Sequence, residues 1–117
     1  MEERLRFLQR MLGKQVAIRI DRPIGYCHHG LVYPVNYGYV PGIIAGDGEE
    51  QDVYVLGVCR PLEEFHGVII GGIFRRDDCE DKLIAAPEGM IFTRQQMAEA
   101  VHFQERFFDS SLVCSLF

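Results

Sequence analysis

Eight of the 17 acidic residues fall in two short runs: Asp47, Glu49, Glu50 and Asp52, then Asp77, Asp78, Glu80 and Asp81. Each run joins or flanks a stretch that reads as β-strand. If the two strands are neighbours, several carboxylates meet within a few ångströms, where each like-charged pair repels by about 4 kcal/mol at an intermediate dielectric. Such a group needs protons, distance or cations. Hard divalent cations are the usual answer, and magnesium takes a few carboxylates together with water and substrate phosphate. The other reading is two solvated loops that never meet. In DGEEQD the glycine permits a turn, so Asp47 and Asp52 can flank one site while Glu49 points inward; the downstream glycine and glutamate of an EF-hand are absent. If residues 80–84 are extended, Glu80 and Lys82 share one face and Asp81 takes the other. Lys82, one of only two lysines, then stands beside the acidic site. There it can meet a phosphate oxygen or form a plain salt bridge with Asp81 or Glu80.

These residues must be positioned by the elements around them. Leu5, Leu8 and Leu12 recur at helical spacing, and Gly13 supplies a stop, so residues 2–12 read as a short docking helix. KQVAIRID at 14–21 alternates, with Val16, Ile18 and Ile20 on one face, as in a half-buried strand. RPIGYCHHG at 22–30 reads as a loop. Pro34 and Pro41 argue against a helix or central strand running through 31–46, which is expected to be short extended pieces with glycines that let the backbone approach a neighbour. Strands follow at 53–58, at 67–76, where Gly71–Gly72 suggests a barrel bend, and from KLIAAP at 82–87. Thr93 and Gln96 fit a capping box for a helix over 94–108, whose apolar stripe of Met97, Ala100, Val101, Phe107 and Phe108 reads as core packing. The sum is a mainly β (α+β) domain over 1–117, a small closed barrel with a helix packed on it.

Composition narrows the function. Hydrophobic residues make up 48% and charged residues 25% of the 117, ordinary for a globular domain. A formal charge of -5, with 12 basic against 17 acidic residues, opposes a nucleic-acid or anionic-membrane binder. No apolar run is long enough to span a bilayer, and the start lacks the pattern of a secretory signal. Cys27, Cys59, Cys79 and Cys114 form no C-x-x-C pair and read as free thiols in a reducing, cytoplasmic setting. A zinc site from Cys27, His28, His29 and another cysteine is the competing reading, which adjacent histidines disfavour.

The segments YPVNYGYVPG, DGEEQDVYVLGV and DDCEDKLIAAP, in that order, resemble the soluble (family I) inorganic pyrophosphatases. That family carries Tyr-Pro-x-Asn-Tyr-Gly, then Asp-Gly-Asp-Pro-x-Asp, then an acidic loop ending in Asp-x-Lys. The likeness covers about 31–87, and the 94–108 helix falls where the family has its C-terminal helix. It implies a five-stranded OB-like barrel and hydrolysis of diphosphate, or a related phosphoanhydride, with magnesium or substituting manganese. It further implies metal ligation by Asp47, Asp52, Asp77 and Glu80, water activation by Glu49, phosphate or water orientation by Tyr33, Tyr37 and Lys82, and self-association. Arg22, in Asp21–Arg22, matches a substrate-binding Asp-Arg, although the loop before Tyr33 is longer here.

The departures are specific. Glu49 and Glu80 replace aspartates, and each extra methylene moves a carboxylate by over about an ångström, enough to cost on the order of 100-fold in rate. Glu50 replaces a proline, Arg19 a first-strand glutamate, and Phe107–Phe108 a Tyr-Lys pair that contacts phosphate. A module that binds cations and a phosphate-bearing ligand with weak or no turnover is therefore the alternative to an enzyme.

Overall fold

The computed structural model describes residues 2–114. After α1 (Glu2–Met11) come β1 (Gln15–Arg22), a two-stranded hairpin of β2 (Cys27–His28) and β3 (Leu31–Val32), β4 (Asn36–Ile44) and β5 (Glu50–Val55). Then β6 (Glu64–Arg75), β7 (Lys82–Ala86), α2 (Arg94–Glu105) and β8 (Ser110–Cys114) complete the order. The main sheet runs β1-β4-β5-β7-β6-β8, and β1 also pairs with β6, which closes five of these strands into a barrel. The long β6 makes this possible. Its first half pairs with β1 from Glu64 to Val68, and its second half pairs with β8 from Gly71 to Arg75. The ladder against β7 shifts register between Ile69 and Gly71, at the bend expected from the paired glycines.

Strand alternation sorts the apolar side chains into two cores. Ile18, Ile20, Val40, Val53, Val55, Ile69, Phe74, Leu83 and Ala85 come from all five barrel strands and form its interior, sealed by Leu8 and Met11 of α1. Tyr37, Tyr54, Ile73 and Ile84 lie on the other side of the sheet and pack on Met97 and Val101 of α2. The capping box is present: Thr93 Oγ1 accepts from the Gln96 amide, and the Gln96 side chain accepts from the Thr93 amide.

Several expectations are corrected. A strand does run through Pro41, because the β4–β5 ladder shifts register between Val40 and Ile44 and the proline occupies that irregularity, where no ladder bond is demanded of it. The 22–30 stretch is not plain loop: Cys27 and His28 pair with Val32 and Leu31. The next strand begins at Glu50, ahead of the apolar run, which makes Asp52 a strand residue with a fixed side-chain direction. Helix α2 ends at Glu105, so Phe107 and Phe108 are not part of its core stripe; Phe107 is 63% exposed. The final strand, β8, has no counterpart in the sequence reading.

Gly38 shows why a glycine-rich strand can be central. A Cβ there would lie 1.9 Å from the Arg19 carbonyl oxygen, so β1 and β4 approach as closely as they do only over a bare Cα. We expect Gly38→Ala to lower the unfolding free energy by more than about 3 kcal/mol, since backbone must move. Gly46→Ala, whose Cβ would meet nothing closer than 3.9 Å, should stay within about 1 kcal/mol. Urea denaturation of both variants checks the contrast.

Candidate functional site

Past the C-terminal end of α2 the helix-facing side of the sheet changes character. On β5, Tyr54 packs under the helix while Asp52, two residues earlier on the same face, reaches beyond it. On β7, Ile84 and Lys82 repeat the pattern. Because β5 and β7 are parallel with Val53 opposite Leu83, Asp52 and Lys82 are neighbours. The Lys82 ammonium lies 2.7 Å from Asp52 Oδ2 and 3.7 Å from Glu80 Oε1, so the two acidic runs do meet, around one lysine.

These side chains open onto a cavity of about 560 Å³. Arg22, Tyr37, Asp52, Glu80 and Lys82 line it, joined by Asp21, His28, His29, Arg75, Gln104, Arg106, Phe107 and Phe108. This lining carries four guanidinium or ammonium groups (Arg22, Arg75, Lys82, Arg106) and three carboxylates (Asp21, Asp52, Glu80), and Arg75 is already paired with Glu105. Arg22, whose hydrogen bond goes to a neutral phenol, is the cation placed to meet an anion. The Tyr37 ring lies between two of the cations, 5.4 Å from the Arg22 guanidinium carbon and 5.7 Å from Lys82 Nζ. Burial, and then the Asp52 charge, push the Tyr37 hydroxyl well above the usual phenol range, so it remains a proton donor.

Two of the anticipated metal ligands, Asp47 and Asp77, and the anticipated water-activating Glu49 stand outside this lining. Asp47 accepts from the Glu49 amide at 3.0 Å within its own turn. Glu49 is exposed in that turn, and Asp77 accepts from the Asp109 amide at 3.2 Å. Tyr33 lies beneath the cavity, fully buried. Asp81 takes the opposite face from Glu80 and Lys82, as alternation requires, and receives Arg4 at 2.7 and 2.6 Å and the Arg75 amide at 2.8 Å. Among the described residues no three His, Cys, Asp or Glu side chains are grouped to hold a metal ion, and the zinc reading of Cys27, His28 and His29 has no support. Asp52 and Glu80, converging on one cation, nevertheless fit the pattern in which magnesium takes one or two carboxylates and completes its shell with water and substrate phosphate.

Under the cavity runs a hydrogen-bond chain that sequence reasoning missed. Arg22 Nη1 donates to Tyr33 Oη at 2.6 Å, and Tyr33 donates to Gln104 Oε1 at 2.5 Å. Gln104 Nε2 donates to Tyr54 Oη at 2.7 Å, and Tyr54 donates to Glu105 Oε2 at 2.6 Å. The direction is forced. Arginine has no acceptor, so Tyr33 must pass its proton onward to the amide oxygen, which turns the amide nitrogen toward Tyr54. Glu105, at i+4 from Val101 on an otherwise apolar stripe, was the available signal: a carboxylate there must be paired. Burial disfavours its charged form, yet hydrogen bonds from Arg75, Ser110 and Tyr54 hold its carboxyl below the usual range. Asn36 was missed as well; its Oδ1 accepts from the Ile24 and Leu62 amides, both at 3.1 Å, and it ties the Arg22 loop to β4.

The inorganic pyrophosphatase family model matches residues 10–110. The chain belongs to the inorganic pyrophosphatase family. It is 34% identical over 102 residues to an inorganic pyrophosphatase of Xanthomonas campestris, covering 77% of this chain and 54% of that protein. To the Caulobacter vibrioides enzyme it is 31% identical over 88 residues, covering 64% and 48%. The chain therefore spans about half the length of the curated relatives it matches. Crystal structures of inorganic pyrophosphatases share the fold: that from Ehrlichia chaffeensis gives a TM-score of 0.69 at 18% identity, covering 88% of this chain and 87% of that one. The Neisseria gonorrhoeae structure gives 0.65 at 15%, covering 87% and 83%. The five-stranded barrel expected from the family resemblance is the one observed.

Removing Glu105's charge should be costly. We expect Glu105→Gln to destabilise the protein by about 3 kcal/mol, because Arg75 is left buried with only Asp78, 3.4 Å away, to balance it, whereas Arg75→Met with Glu105→Leu should recover most of the loss. Because the folded carboxyl titrates below its ordinary value of 4.5, the stabilisation is complete above that pH and disappears as pH falls through the folded value. The gap between urea melts of wild type and Glu105→Gln should narrow as pH falls from 7 to 3.

Proposed function

We propose that this chain hydrolyses inorganic diphosphate to two phosphates. The observation that carries the reading is the meeting of Asp52 and Glu80 around Lys82 in a cavity that Arg22 also lines. Family membership supports it. In this reading Arg22 and Lys82 bind phosphoryl oxygens, and the protonated Tyr37 hydroxyl orients the anion or the attacking water. Asp52 and Glu80 hold magnesium jointly with the substrate. When bound, the ion withdraws electron density from phosphorus and makes a coordinated water more acidic. Tyr33 and Gln104 act behind Arg22 and hold its guanidinium at the cavity wall, since phosphoryl transfer depends mainly on placed charge. Following the resemblance, we assign proton removal from water to Glu49 and supporting metal contacts to Asp47 and Asp77. The same reading takes 1–117 as one working domain in the cytoplasm, where the four cysteines stay reduced, self-associated as its family members commonly are.

A second reading has its own observation. Lys82 directly neutralises Asp52, and Phe107–Phe108 stand where the family offers a Tyr-Lys pair. That pattern supports a module that holds magnesium and a diphosphate group without turnover.

Phosphate release from diphosphate with magnesium decides between them. For the enzyme, wild type turns over, and Arg22→Ala and Asp52→Asn each lower kcat/KM by about 100-fold or more, with Glu49→Gln lowering kcat. A wild-type rate no higher than that of Glu49→Gln combined with Asp52→Asn ends the enzyme reading. Calorimetric binding of diphosphate under those conditions would then support the module.

A further inference from the structure

The cavity is larger than inorganic diphosphate needs. At roughly 30 Å³ per water, about 560 Å³ is the space of on the order of 20 waters, and two joined phosphoryl groups with a cation fill only part of it. Arg22, Tyr37, Asp52, Glu80 and Lys82 come from the barrel strands or the strand end of β7. Another part of the lining is aromatic, with Phe107 and Phe108 beyond α2, His28 at the end of β2 and His29 in the hairpin turn, and it also carries Arg75, Gln104 and Arg106.

The aromatic part is held in place. Phe108 lies under the Arg75 guanidinium, 3.7 Å from its ring centroid, and Arg75 is itself locked to Glu105 at 2.7 Å. Phe107, immediately before it, is 63% exposed, with the Arg106 guanidinium carbon 4.8 Å from its ring centroid. The His28 and His29 rings are 4.0 Å apart. Desolvation, with Arg22 and His29 nearby, lowers the His28 pKa, so at neutral pH it offers a flat neutral ring. An inorganic anion can use the histidine N–H and guanidinium groups here but gains nothing from the exposed face of Phe107, because the face of a phenyl ring is electronegative. A flat heterocycle gains directly, by stacking.

We infer that the ligand class this cavity fits is a nucleoside phosphoanhydride, with its diphosphate portion against Arg22 and Lys82 and its base stacked on Phe107 beside the His28–His29 pair. This rests on the proposed diphosphate-binding role of the cavity and narrows it.

A matched, non-hydrolysable pair tests it: methylenediphosphonate and α,β-methylene-ADP, titrated calorimetrically with magnesium into the full chain. The nucleotide analogue carries fewer ionisable oxygens, so charge cannot be the source of any preference for it. We expect it to bind at least tenfold tighter than methylenediphosphonate. Phe107→Ala should reduce that preference by about tenfold, the order expected for a base on an aromatic ring, and Phe107→Trp should retain it. Equal affinities for the two probes would overturn the inference, as would a preference that survives Phe107→Ala in a protein with wild-type circular dichroism. Methylenediphosphonate binding without the preference removes the nucleotide and leaves the diphosphate site standing. If neither probe binds, both readings fall. A sedimentation shift in Phe107→Ala with the preference intact would make the ring a contact between copies and also overturn it.

Discussion

A carboxylate at the end of α2 cannot be buried unless the surrounding protein keeps it ionised, and Glu105 is buried there. Arg75 meets it with two donors, and Tyr54 and Ser110 supply the others. Each partner belongs to a different element: β6, β5 and the start of β8. Satisfying one charge therefore fixes where α2 stops against the sheet. The same demand gives the Arg22–Tyr33–Gln104–Tyr54 chain its polarity, with donors at the cationic end and an acceptor at the anionic end. Bonds aligned in this way polarise one another in the same sense. The pairing is weak as a source of net stability, since two hydrophobic residues could replace it, but it specifies position strongly.

That position produces the site. The helix covers Tyr54 and Ile84 but stops short of Asp52 and Lys82, so one face of two adjacent strands serves as core under the helix and as cavity wall beyond it. No special loop is needed to bring these two groups together; parallel register does so. Glu80 joins them because it is in phase with Lys82, while Asp81, out of phase, goes to Arg4 and the Arg75 amide. A run of alternating acids is thereby split between a site and a strut.

This division explains what the sequence made legible. Alternation on 14–21 and 80–84, the capping box and the bend at Gly71–Gly72 could be read locally, because each depends on neighbours along the chain, whereas the closed barrel was inferred from the number of strands and closes through the distant β1–β6 pairing. Pro41 misled because a proline is excluded from a regular ladder and the irregularity that frees it is set by β5. The 94–108 helix was read too long because Phe107 and Phe108 continue an apolar pattern; what ends the helix is Glu105's need for partners on distant strands. β8 escaped notice because its pairing depends on β6 being long enough to serve two partners. Of the residues singled out for chemistry, Arg22, Tyr37, Asp52, Glu80 and Lys82 line one cavity. Arg75 and Gln104 were missed because their relevance comes through tertiary hydrogen bonds that no spacing rule encodes.

Electrostatics then follows from where charges are consumed. Asp81 is taken up by Arg4 and Asp109 by Arg76, none of which lines the cavity, and Glu105 by Arg75, which reaches the cavity wall. Asp47 and Asp77 are turned toward backbone amides. The chain's surplus of negative charge is thus directed away from the lining, while Arg22's hydrogen bond goes to a neutral phenol and leaves its charge facing the cavity. A protein of net negative charge can in this way keep cations available in one cleft, because the field of a cleft is set by the groups that line it.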